Sequence, residues 1–116
     1  MKKVVTFGEV MVRLAPSEHY RFTQACPGSM DLTFGGAESS VAASVSMLGG
    51  SSRFVSALPQ HAIADAFVRQ MRGFKVDVDH VLRREAGRFG IYYVESGANQ
   101  RPSRVIYDRD YSAVSM

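Results

Sequence analysis

The stretch FGGAESSVAASVSMLGG, Phe34 to Gly50, decides how this chain reads. Two glycines precede a run with helical spacing, and two more close it. Val41, Val45 and Leu48 fall at i, i+4 and i+7, which predicts one apolar face. The alanines and serines between them permit close packing against a sheet. Gly49 and Gly50 predict the C-terminal stop. A Gly-Gly pair at a strand-to-helix turn also brings backbone N–H groups within reach of a ligand oxygen. The pair lacks the Lys-Ser/Thr of a phosphate loop and the third glycine of a dinucleotide fingerprint. Its spacing alone leaves open a tight turn that binds nothing.

Before this stretch, KKVVTFG predicts a buried first strand. EVMVRLAP predicts a second strand, exposed on one face and stopped by Pro16. Residues 16–29 read as loop, and MDLTF as a third strand. After it, SRFVSAL predicts a strand. AIADAFVRQMR predicts a helix with Ile63, Phe67 and Met71 as its apolar stripe and Gly73 as its stop. VDVDHVLR reads as a short strand. RFGIYYVES and SRVIYDRD, separated by GANQRP, carry a strand–loop–strand signature. Alternation of β and α through Arg83 predicts a parallel α/β core near 2–8 and 36–84. The flanking strands near 10–15, 30–34, 89–96 and 103–109 predict a second, smaller sheet attached to it.

The 116 residues suffice for one small domain with its own core. Apolar residues make up 46% and charged residues 22%, the balance of a soluble globular chain. The net charge is +3 with the basic residues scattered, so no basic stripe marks a nucleic-acid surface. No apolar run approaches a membrane span, and VVTFG behind Lys2 and Lys3 is too brief for a signal peptide. Cys26 is alone, so no intrachain disulfide forms, in keeping with a reducing, cytoplasmic setting. His19, His61 and His80 lack ligand spacing and read as surface or loop residues.

With VVTFGEVMVRLAP ahead of it, FGGAESSVAASVSMLGG resembles the start of a ribokinase/PfkB-family carbohydrate kinase. RFVSALPQHAIADAFVRQMRGFKVDVDHVLR is similar to that family's next strand, helix and strand. The combination of GIYY, QRPS and VIYDR resembles the sugar-acid branch, the 2-keto-3-deoxygluconate kinases. The resemblance covers essentially the whole chain. It implies a ribokinase-like α/β fold, a partial parallel sheet with flanking helices plus a small β-sheet lid, with the sugar between them. It implies that Gly36 lies against the sugar acid, and that Tyr92, Tyr107 and Arg109 contact it from the lid. Gly35, Glu9 and Ser40 would lie near the same cleft. ATP and Mg²⁺ would serve the intact enzyme and not be held by this segment. Lid sheets in the family often pair two subunits, which implies a homo-oligomer. No nucleic acid or membrane partner is implied.

The residues support part of this. In a strand, Val105, Tyr107 and Arg109 share a face. Tyrosine offers a hydroxyl and a ring, and arginine a forked, permanent charge, matching the hydroxyls and carboxylate of a sugar acid. Without the resemblance, Tyr107 equally suits core packing and Arg109 a solvated edge. Two positions depart from the family pattern. Ser40 stands where most members have Asn, and Ala64 precedes Asp65 where they have Gly. The family's Gly-rich anion hole, its aspartate base and its ATP pocket lie near its C-terminal end and have no counterpart here. The expected role is therefore substrate orientation without the base, in a chain resembling the N-terminal third of a kinase. A kinase for fructose, ribose or 5-keto-2-deoxygluconate, and a non-catalytic sugar-binding or assembly module, are the alternatives.

Overall fold

A computed structural model of the chain describes residues 2–97 and 102–115. Within these, eight strands and three α-helices follow in the order β1 (Val4–Phe7), β2 (Met11–Ala15), α1 (Phe22–Ala25), β3 (Asp31–Gly35), α2 (Ala37–Met47), β4 (Ser52–Val55), β5 (Ala57–Pro59), α3 (Ala62–Gly73), β6 (Leu82–Arg84), β7 (Ile91–Glu95) and β8 (Arg104–Asp108). A 3-10 turn, Ala113–Ser115, follows β8. The α/β core holds two parallel pairs, β1–β4 and β5–β6. The second sheet is four-stranded in the order β3-β2-β7-β8. There β2 runs antiparallel to β3 and parallel to β7, and β7 runs antiparallel to β8. Residues 98–101, the middle of the expected β7–β8 connection, lie outside the described residues.

The core forms where the parallel pairs and the four-stranded sheet meet α3. Phe67 is buried and packs edge-on to Phe34 at 5.3 Å, Phe54 at 5.8 Å and Phe89 at 6.4 Å. One α3 side chain thus gathers β3, β4 and the entry to β7. Val10, Val12, Leu58 and Met71 belong to the same cluster. Ala64 is fully buried, whereas Ile63, expected in the inner stripe, is exposed. His61 caps α3, its Nδ1 accepting the Ala64 N–H at 3.3 Å while its ring stacks on Phe89. Its spacing predicts the exposed position but not the cap.

Several expectations require correction. Val41 is 49% exposed and Leu48 88%, so the apolar stripe of α2 points away from the core. The buried face carries Ser39 and Ala42 instead. Small residues win because the helix lies close on β4: Ser52 Oγ donates to the Ala42 carbonyl at 2.7 Å and lies 2.6 Å from Ser46 Oγ. The first strand is not buried either; Phe7 is 68% exposed because the described residues leave its face of β1 uncovered. The run SRFVSAL divides into β4 and β5 at Ser56. VDVDHVLR contributes only its end to β6, while Asp77 makes an isolated bridge to Arg53. Gly73 remains helical, and the left-handed residue beyond α3 is Lys75 at φ 65°. The expected loop 16–29 contains α1, whose first N–H, from Phe22, is accepted by the buried Glu95 Oε2 at 3.0 Å.

Candidate functional site

The registers of the small sheet decide which side chains share its faces. Thr33, Arg13, Tyr92 and Tyr107 stand directly opposite one another across all four strands. Directly opposed residues share a face, so this row, with Gly35, Met11 and Arg109 two residues along, forms one surface. The opposite surface turns Val12, Phe34 and Ile91 into the core.

Gly35 and Gly36 end β3 and cap α2. The Tyr92 hydroxyl occupies the space where a side chain on Gly35 would begin. A Cβ on Gly36 would come 2.8 Å from the Glu9 carbonyl oxygen and 3.3 Å from Ser39 Oγ. Both glycines are therefore required by close approach, and that approach joins the first turn of α2 to β7 and to the β1–β2 connection. The helix opens towards this point: Ser39 Oγ donates to the Gly36 carbonyl at 3.1 Å, and Ser40 N–H to the same oxygen at 3.0 Å.

The rings of Tyr92 and Tyr107 lie 6.1 Å apart at 32°, and the Arg109 guanidinium sits 4.8 Å over the Tyr107 ring. This is a cation–π contact at an exposed site, worth about 0.5–1 kcal/mol. Tyr107 is 60% exposed, so it does not serve as core packing. The end of β8 is fixed by Arg88, which donates to Asp108 Oδ2 at 2.8 Å and to the Asp108 carbonyl at 3.2 Å. That contact holds the Asp108 carboxyl below its ordinary value and raises the Arg88 guanidinium above its own. Asp108 is thus engaged on the far face, leaving Arg109 turned to the tyrosines.

The structure therefore brings together Gly35, Gly36, Tyr92, Tyr107 and Arg109. Ser40 is one turn into α2 and exposed, and its hydroxyl makes no hydrogen bond among the described residues. Arg13 was not among the expected residues. It is half-buried in the row with Tyr92. The alternation of β2 puts it opposite Val12, but only the pairing with β7 shows that its face is that of the tyrosines. Two surface depressions lie elsewhere, one lined by Asp65, Arg69, Arg72 and Arg83, the other by Ser17, Tyr20, Gln24 and Pro27.

Residues 1–115 match the pfkB family of carbohydrate kinases. The chain belongs to that family. A curated relative, 2-dehydro-3-deoxygalactonokinase of Haloferax volcanii, is 39% identical over 97% of this chain and 35% of its own length. The crystal structure of 2-dehydro-3-deoxygluconokinase from Thermotoga maritima superposes with a TM-score of 0.92 at 47% identity, covering 99% of this chain and 34% of that one. A PfkB family carbohydrate kinase from Listeria grayi gives 0.91 at 34% identity, covering 98% and 35%. The pfkB chain thus spans about a third of the length of these relatives, and its fold is the ribokinase-like fold they share.

Proposed function

We propose that this pfkB segment forms the acceptor side of a sugar-acid kinase, in which phosphate passes from ATP to a hydroxyl of a 2-keto-3-deoxy sugar acid, 2-keto-3-deoxygluconate in the first instance. The observation that carries the reading is the alignment of Tyr92, Tyr107 and Arg109 on one sheet face above Gly35. Tyrosine hydroxyls suit the sugar hydroxyls, and the guanidinium suits the carboxylate. Gly35 and Gly36 let Tyr92, Glu9 and Ser39 close on the start of α2, which sets the Tyr92 hydroxyl at the turn. The two relatives are named for two 2-keto-3-deoxy sugar acids, which supports the class.

No three His, Cys, Asp or Glu side chains converge among the described residues. The nucleotide, its metal and the base belong, on this reading, to chain beyond the segment. What these residues contribute is orientation. A bound acceptor held at two ends, carboxylate and hydroxyls, loses the rotational freedom that otherwise opposes in-line transfer. The sheet acts as a lid over the acceptor in the cytoplasm, and a second copy pairs through the end of its other face, beyond the core. Leu32, Leu14, Tyr93 and Ile106 form a row at that end; Leu14 packs against the core, while Leu32 and Ile106 on the edge strands are exposed, which supports the pairing.

The test is phosphorylation by the full-length kinase of the sugar acid and of its analogue with the carboxylate reduced to an alcohol. The proposal expects a strong preference for the acid. Equal kcat/KM for the two, or a preference for fructose or ribose, would overturn the sugar-acid reading. Binding without turnover would favour a sugar-binding module.

A further inference from the structure

Glu9 joins the two halves of the candidate site. Its backbone carbonyl lies against Gly36, and its side chain reaches the opposite side, at Gly90. Its Oε2 is enclosed and has no hydrogen-bond partner among the described residues. An enclosed carboxylate oxygen without a donor is costly to maintain, which marks the atom as a seat for a donor. A Cβ built on Gly90 would stand 3.0 Å from Glu9 Oε2, 3.1 Å from Arg109 Cβ and 3.2 Å from Met11 Cγ. The Glu9 carboxylate and the root of the Arg109 side chain therefore lie within about 6 Å of each other, across a residue with no side chain of its own. An arginine side chain spans that distance. In this structure its guanidinium rests over the Tyr107 ring instead. The other carboxylates beside it are accounted for: Asp108 is engaged by Arg88, and Asp110 is exposed to water.

We propose that Glu9 is a positioning residue for Arg109, its unpartnered carboxylate oxygen taking one edge of the guanidinium while the carboxylate of the substrate takes the other. A guanidinium carries five N–H donors in a fixed fork, enough to serve two carboxylates in one plane. Tyr107 then holds the side chain while the site is empty, and Glu9 fixes its angle when the acid is bound. Gly90 has no side chain because one would block the path between the two groups. This assignment rests on the reading of Arg109 as the carboxylate partner.

The test is a double-mutant cycle in the full-length kinase. The affinity for the sugar acid and for its carboxylate-reduced analogue is measured in wild type, Glu9→Gln, Glu9→Asp, Arg109→Ala and Glu9→Gln/Arg109→Ala. Glu9→Gln should weaken the acid about tenfold and the neutral analogue less than about twofold. In the Arg109→Ala background the same change should do nothing further, and Glu9→Asp should recover part of the loss. Losses that multiply in the double mutant, or that fall equally on acid and analogue in Glu9→Gln alone, would overturn the role of Glu9 and leave Arg109 standing. An Arg109→Ala loss equal for both ligands would overturn Arg109 and Glu9 together.

Discussion

At Arg109 the geometry and the proposed chemistry make a quantitative statement. If its guanidinium pairs with the substrate carboxylate, Arg109→Ala in the full-length kinase costs about 2–4 kcal/mol in kcat/KM for the acid, because a partly desolvated charge loses its partner. Arg109→Lys recovers only part, since lysine cannot make the forked contact. A change within about 0.5 kcal/mol, equal for acid and neutral sugars, is what a solvated surface arginine would give. A second residue makes a statement about pH. Asp77 accepts from Lys3 Nζ at 2.8 Å, from the Asp79 N–H at 3.0 Å and from Arg53 Nε at 3.0 Å. These contacts, Lys3 foremost, hold its carboxyl far below the usual carboxylate range. The unfolded chain binds that proton more readily, so the stabilisation is complete above about pH 5 and is lost as pH falls below about 4 towards the folded value. Thermal melting should show wild type above Asp77→Asn near neutrality, with the gap closing in acid. A gap that stays constant down to about pH 2 would assign Asp77 a role without charge.

The elements show where pattern reading succeeds and where it stops. The runs that became β2, β3, β7 and β8 were legible because each alternates and is bounded by Pro, Gly or polar residues. Phe67 and Met71 were legible as the inner stripe of α3. The inner face of α2 was not, because hydrophobicity ranks Val41 and Leu48 above Ala42, whereas distance of approach to β4 ranks them the other way. Ala42→Leu should therefore cost about 1–3 kcal/mol by overpacking, while Val41→Leu should stay within about 0.5 kcal/mol. A larger loss at Val41 in chemical denaturation would restore the expected face. In the candidate site, Tyr107 and Arg109 came from the family resemblance, and their spacing two apart added only that they share a face. Arg13 and the buried oxygen of Glu9 were not legible, since both depend on a register between strands far apart in sequence.

The α/β core leaves several apolar side chains exposed. Phe7 on β1 and Val41, Met47 and Leu48 at α2 are exposed together with Val4 and Val5. A parallel sheet is stable when both faces are covered, and contiguous apolar surface promotes association. The 116-residue chain alone should bind a hydrophobic dye and show concentration-dependent sedimentation, and it should show no sugar-dependent ATP turnover. A monodisperse monomer that excludes dye, or turnover by the purified chain, would contradict the acceptor-side reading. The parallel pairing of Val12 with Ile91 sets a further condition, one of time. The two residues are about 80 positions apart, so a ribosome adding about 5–20 residues per second separates them by roughly 4–16 s. Throughout that interval β2 and β3 can form their hairpin, but β2 keeps an open hydrogen-bonding edge with Val12 and Leu14 beside it. Pairing so distant in sequence is slow to form even once both strands exist. The nascent chain is therefore most open to strand capture by its neighbours while the middle of this segment is being made, and slower elongation between Gly36 and Gly90 lengthens that exposure.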